Sequence, residues 1–213
     1  MHATRIIAVR HGETSWNVDA RIQGHLDIPL NDTGLWQAQR AGAALADEHF
    51  DAIYSSDLQR AMGTAQAIAH TSGRTVQPDT GLRERCFGSF EGRTFQEIEV
   101  AAPEAALRWR KRDPDFVPDD GGESLHMLRG RIQHTVDRLA AQHVGGQIAL
   151  VAHGGVMDIL YRLATRQDLQ APRTWELGNA AINRLLWTPD GLTLVGWGDM
   201  AHLNDSARDE ITS

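Results

Sequence analysis

Arg10 with His11, Arg60, and His153 stand at equivalent places in three separate strand-to-helix units of this 213-residue chain. The first unit runs Arg5-Ile6-Ile7-Ala8-Val9 and ends in Arg10-His11-Gly12-Glu13-Thr14. The second runs Ala52-Ile53-Tyr54-Ser55-Ser56 and places Arg60 in the first turn of the helix that follows. The third runs Gln147-Ile148-Ala149-Leu150-Val151-Ala152 and ends in His153-Gly154-Gly155. Open parallel α/β sheets bind ligands outside the carboxyl ends of their strands. Two arginines, two histidines and helix N-termini gathered there describe a phosphate site. Moving a phosphoryl group needs an in-line nucleophile, cations on the equatorial oxygens and an acid for the leaving oxygen. A histidine nitrogen can serve as the nucleophile, and flanking positive charge favours its neutral, nucleophilic form.

The elements around these units come from the pattern of apolar residues. Asn31-Asp32-Thr33 offers cap chemistry for a helix over about 33–48, with Leu35, Ala38, Gly42 and Leu45 on one stripe. A strand over 51–55, a helix over 57–71 and a short strand at Val76 follow. Residues 86–122 are broken by Gly88, Gly92, Pro103, Pro114, Pro118 and Gly121-Gly122. They read as a lid or substrate insertion with helical patches near 94–100 and 103–111. Leu125, Leu128, Ile132, Val136 and Leu139 mark a helix over 124–143. Strand 147–152 and helix 155–165 complete the third unit, and Pro189-Asp190-Gly191 signals a hairpin between 182–187 and 192–197. Strands alternating with helices imply a mostly parallel sheet covered on both faces, and the hairpin adds an antiparallel edge strand. The expectation is one domain over residues 1–203 and a polar tail over 204–213.

With these segments in place, the chain resembles the histidine phosphatase superfamily, which includes the cofactor-dependent phosphoglycerate mutases. The likeness runs through Arg10-His11-Gly12-Glu13-Thr14, Asn17, Gln23-Gly24, Ser56-Asp57-Leu58-Gln59-Arg60-Ala61, Leu82-Arg83-Glu84-Arg85 and His153-Gly154-Gly155. It implies a three-layer α/β/α sandwich. It also implies that His11 is the nucleophile, that Arg10, Arg60 and His153 hold the phosphoryl oxygens, and that Glu84 is the general acid. Asn17, Gln23, Gly24 and Gly154 fall at substrate-binding positions. Glu13 and Thr14 are expected to orient the loop, with Gln23, His25, Phe87 and Phe90 on the leaving-group side. His25 and His202 are the other histidines expected near the pocket.

Ordinary alternatives stand beside each of these. A single strand-end histidine is usually structural, Arg60 alone would be a solvated helix charge, and Glu84 in a loop would face water. Arg60 sits where the helix dipole disfavours a cation, which points to an anion facing it. The basic run Arg108, Arg110, Lys111, Arg112 around Trp109 reads first as a solvated helix face and second as substrate recognition.

Bulk composition narrows the partners. The net charge of −7 disfavours nucleic acid and anionic membranes, so positive potential must be built locally. The single Cys86 forms no internal disulfide, and no apolar run approaches a membrane span, which fits a soluble cytoplasmic protein. No His-x-x-x-His or Cys-x-x-Cys spacing supports a metal, and no Gly-x-x-x-x-Gly-Lys loop supports a kinase. The expected activity is cofactor-free and metal-free hydrolysis of a small phosphate ester. A phosphoglycerate mutase, an α-ribazole phosphatase and an inactive phospholigand-binding module are the alternatives. The segment between Glu84 and His153 is short for a mutase. The oligomeric state is left open.

Overall fold

The protein, as a computed structural model, is described over residues 3–204; the expected tail lies outside the described residues from 205 onward. Its strands are β1 (Thr4–Arg10), β2 (Ala52–Ser55), β3 (Val76–Pro78), β4 (Gln147–Ala152), β5 (Ile182–Thr188) and β6 (Gly191–Asp199). Its helices are α1 (Ser15–Val18), α2 (Asp32–Ala44), α3 (Gln59–Ser72), α4 (Phe95–Ala101), α5 (Pro103–Arg110), α6 (Leu125–Ala140) and α7 (Gly154–Thr165).

One six-stranded sheet has the order β3-β2-β4-β1-β5-β6. β1, β2, β3 and β4 pair in parallel, whereas β5 is antiparallel to both β1 and β6. The antiparallel strand is therefore one in from the edge, and β6 turns back beside it.

Alternation along the strands builds the two faces of the sheet. Ile6 and Ala8 of β1, with Ile148 and Leu150 of β4, pack under Leu128, Ile132 and Val136 of α6 and Ile159 of α7. Ile7, Val9, Ala149 and Val151 point the other way, against Ala61, Ala65 and Ile68 of α3 and Leu45 after α2. Each fully buried Ile or Leu contributes about 1.5–3 kcal/mol of apolar burial, enough to fix the strand register.

Leu35 departs from its expected stripe: at 50% exposure it lies on the solvent side of α2. The insertion at 86–122 is more ordered than its glycines and prolines imply. Phe90, Ile98, Ala106 and Phe116 form a third apolar cluster, with Trp109 stacked on Phe90 at 5.5 Å between ring centroids. Phe90 thus belongs to the core of the insertion and not to the leaving-group side expected for it. Among the described residues no helix is long and apolar enough to cross a membrane.

Candidate active site

Register brings the first two site residues together. Arg10 of β1 pairs with Ala152 of β4, so the next residue on each strand, His11 and His153, emerges side by side. Their ring centroids lie 5.2 Å apart, and the two residues are 3% and 0% exposed. β2 lies on the other side of β4, and the helix after it, α3, delivers Arg60 in its first turn, 1% exposed.

The loop after β1 is held by a chain of local bonds. Thr14 caps α1 by a reciprocal box with Asn17. Gly12 donates its N–H to Thr64 Oγ1. A Cβ on Gly12 would lie 2.4 Å from the Gly34 carbonyl oxygen, so only glycine lets this loop seat on the start of α2. Glu13 faces that helix too, accepting from Asn31 Nδ2. Thr14 orients the loop as expected, and Glu13 anchors it from behind.

His11 has a defined tautomer. Its Nδ1 lies 2.6 Å from the Gly12 carbonyl oxygen, which can only accept, so Nδ1 carries the proton and Nε2 is a free lone pair. Burial first, then the nearby guanidinium groups of Arg10 and Arg60, hold the His11 pKa well below the usual imidazole value. Burial and then Arg60 do the same to His153. Both rings are neutral at neutral pH.

Several buried polar atoms here have no partner among the described residues: Nε of Arg10, Nε of Arg60 and both ring nitrogens of His153, one of which carries a proton. Buried polar groups are nearly always hydrogen-bonded, so their convergence describes the place of an anion. Arg10 is otherwise anchored on the Leu177 carbonyl, and Arg60 on the carbonyls of Gly24 and Leu26 at 2.8 and 2.9 Å. Gln23 and Asn17 line the same cavity, of about 170 Å³. The Asn17 side-chain oxygen is taken by the Thr14 N–H at 3.0 Å, leaving its amide N–H₂ as a donor.

Glu84 closes the cavity from the loop before the insertion. Its Oε1 accepts from the Arg85 N–H at 2.7 Å and its Oε2 from the Gly155 N–H at 2.9 Å, at the N-terminus of α7. The loop itself is pinned by Arg131 of α6, which donates to the carbonyls of Gly81, Arg83 and Glu84 and pairs with Glu123 at 2.7 Å. Nothing in the local sequence marked Arg131, because the carbonyls it holds lie 47 to 50 residues away in the chain.

The remaining expectations divide. His25 Nε2 donates to the Glu84 carbonyl at 2.9 Å, a supporting contact behind the acid. His202 lies against α2, where Arg40 donates to its carbonyl, and it lines none of the cavities beside the site. Gly154 lines a second, larger cavity that shares Arg10 and Phe87 with the first. Of the basic run, Arg108 and Arg110 are solvated and pair with Asp113 and Glu99 at 2.7 Å each, whereas Arg112 turns inward to the second cavity. Arg173, which no local pattern marked, lines that cavity as well. No group of three His, Cys, Asp or Glu among the described residues is placed to hold a metal ion.

The sequence pattern of the histidine phosphatase superfamily (branch 1) matches residues 6–200. The chain is 41% identical over 204 residues to phosphoglycerate mutase-like protein 4 of Arabidopsis thaliana, covering 94% of this chain and 87% of that protein. It is 36% identical over 205 residues to the metal-independent phosphoserine phosphatase of the same plant, covering 94% and 84%. The native structure of mycobacterial glucosyl-3-phosphoglycerate phosphatase superposes with a TM-score of 0.82 at 34% identity, covering 92% of this chain and 99% of that one.

Proposed function

The chain belongs to the histidine phosphatase superfamily (branch 1), and on that footing we propose that it hydrolyses small organic phosphate monoesters through a phosphohistidine on His11. The observation that carries this is the tautomer of His11: a neutral ring, tethered through Nδ1, with its Nε2 lone pair free beside Arg10, Arg60 and His153.

Nε2 of His11 attacks phosphorus as the ester oxygen leaves in line. Arg10, Arg60 and His153 donate to the equatorial oxygens, whose charge they stabilise where water is excluded. Asn17 and Gln23 add amide donors, and Gly24 places the carbonyl that holds Arg60. Glu84 gives a proton to the departing alkoxide, so the leaving group departs as the alcohol. It then takes a proton from the water that attacks the phosphohistidine, releasing inorganic phosphate and restoring His11. Neither step calls on a metal or an organic cofactor, because the guanidinium groups supply the cationic stabilisation. Two relatives are named for hydrolysing phosphoserine and glucosyl-3-phosphoglycerate, both phosphate monoesters, which supports a substrate of this class.

The test is a rapid acid-free quench with ³²P-labelled ester. Wild type is expected to carry base-stable, acid-labile phosphate that is absent from His11→Ala. A His11→Ala enzyme within about tenfold of wild type, roughly 1.4 kcal/mol in barrier, removes His11 from its role.

A further inference from the structure

Arg10 aims its guanidinium at the phosphate site with little to hold it. Among the described residues that group donates to one protein atom, the Leu177 carbonyl oxygen, and its Nε has no partner. Arg60, by contrast, is held on two carbonyls of the segment before α2. The direction of Arg10 therefore depends on where Leu177 sits, in the connection between α7 and β5.

That connection, residues 166–181, contains no helix or strand. A stretch of this length without a ladder of its own backbone bonds must fold around something else. Arg162, in the last turn of α7, is what it folds around. The residue is 2% exposed, and all three guanidinium nitrogens are engaged. Nη1 donates to the Asp168 carbonyl and Nη2 to the Ala171 carbonyl at 2.9 Å, while Nε pairs with Asp158 Oδ2 at 3.0 Å, one turn back on α7. The guanidinium also lies 4.8 Å from the centroid of the Trp175 ring, which stacks on Tyr161 at 4.0 Å. One buried cation thus fastens residues 168, 171 and 175 to α7, ending two positions before Leu177. Beyond Leu177, Asn179 donates to the His11 carbonyl at 3.0 Å, and the Ala180 N–H to the Arg10 carbonyl at 3.0 Å. Stability alone is a poor reason for burying Arg162, since apolar residues of similar volume often serve a buried ion-pair position as well or better.

We propose that Arg162 is a positioning residue: it seats residues 168–177 on α7 so that the Leu177 carbonyl aims Arg10 at the phosphoryl oxygens. It touches no substrate and acts through Arg10. The proposal rests on the phosphomonoesterase reading of the first cavity and names a residue outside that cavity on which the site depends.

The experiment is a double-mutant cycle on nitrophenyl phosphate, with inorganic phosphate as competitive inhibitor. Arg162→Met keeps an unbranched side chain and removes the three donors. It is expected to lose about 10- to 100-fold in kcat/KM, the scale at which a misplaced catalytic group is felt. Inhibition by phosphate is expected to weaken by about tenfold, as for a lost charge-assisted contact. A general loosening of the fold would add to any other defect, whereas action through Arg10 does not. In an Arg10→Ala background, Arg162→Met is therefore expected to cost no more than about twofold in either quantity, the scatter of ordinary additivity. In an Arg60→Ala background it is expected to keep its cost, because that guanidinium is held elsewhere. No loss in Arg162→Met, a loss undiminished by Arg10→Ala, or a loss that vanishes equally in Arg60→Ala overturns the proposal. If Arg162→Met does not fold, Trp175→Leu, which removes the ring against the guanidinium, enters the same cycle under the same criteria. If wild type hydrolyses no ester, the phosphomonoesterase reading fails on its own. The cycle is then read from calorimetric affinity for inorganic phosphate, where non-additive losses support the role of Arg162 and additive losses, or no binding by wild type, overturn it.

Discussion

Glu84 and Gly155 meet at the mouth of the site: the Gly155 N–H donates to Glu84 Oε2 at 2.9 Å, and a Cβ on Gly155 would lie 2.2 Å from Glu84 Oε1. The third strand-to-helix unit therefore does two things. His153 emerges beside His11, and two residues later the bare backbone of α7 seats the Glu84 carboxylate. Gly155→Ala is expected to push Glu84 out of place without disturbing the core, because the strain falls on a partly exposed carboxylate. The fall in kcat on an alkyl phosphate is expected to reach about 10²-fold, the lower range for general acid help. Unchanged kcat in a folded Gly155→Ala enzyme separates Glu84 from the proton transfer.

The role of Glu84 itself is read from the leaving group. An alkoxide is a strong base and needs a proton as it departs, whereas nitrophenolate does not. Glu84→Gln sets an amide against two N–H donors, so Glu84→Ala is the cleaner partner variant. Both are expected to lose about 10²–10⁴-fold on alkyl phosphates and much less on nitrophenyl phosphate. Equal losses on the two esters assign the acid to another group.

His11 and His153 also set a pH dependence of stability. Both are neutral when folded, with pKa values pushed down chiefly by burial, while the unfolded chain protonates imidazole near pH 6.5. Below that value the unfolded state binds protons that the folded state refuses. Stability is thus full above about pH 6.5 and is lost as pH falls toward the folded pKa values, by up to about 1.4 kcal/mol per pH unit for each ring. Urea unfolding at pH 7.5 and 5.0 checks this, with His153→Asn as the comparison. A variant that loses as much stability as wild type across that range contradicts it.

The two arginines beside His11 supply the charge that a metal supplies elsewhere, so phosphate release from a small aryl ester is expected to survive exhaustive chelation. Loss on chelation with recovery on Mg²⁺ or Zn²⁺ excludes the proposed route.

What was legible in the sequence is what the strands encode locally. Arg10, His11 and His153 follow directly from where β1 and β4 end, and Arg60 from the first turn of α3. β4 was bounded residue for residue, because a continuous apolar run between polar ends has one solution. Contacts between distant segments were not legible. Arg173 and Arg131 carried no local signal, and Arg112 read first as part of one solvated run with Arg108, Arg110 and Lys111. Only the left-handed turn at Arg112, with φ of 53°, sends it the opposite way from its neighbours. Phe90 looked like a pocket aromatic for the same reason: the apolar cluster that claims it is assembled from four separated positions.

The second cationic cavity bears on phosphatase against mutase. From the sequence, one phosphate site was expected, and a mutase was disfavoured because the segment between Glu84 and His153 is short. A mutase must hold three anionic groups at once, a phosphate at each end and a carboxylate between, and must keep water from its phosphohistidine. The first cavity gathers Arg10, Arg60 and His11 for one phosphate, and the neighbouring cavity sets Arg85, Arg112 and Arg173 beside Asp158. Arg173 is exposed to solvent, Arg108 and Arg110 of the basic run form surface pairs with Asp113 and Glu99, and Lys111 is exposed. The expectation is that water reaches the phosphohistidine before a bisphosphorylated intermediate can reorient. 3-Phosphoglycerate is therefore expected to be hydrolysed and not isomerised. Product analysis of 3-phosphoglycerate with catalytic 2,3-bisphosphoglycerate decides the matter. Free phosphate should outrun 2-phosphoglycerate; the reverse order makes the enzyme a mutase, with Arg110 and Lys111 as the next residues to substitute.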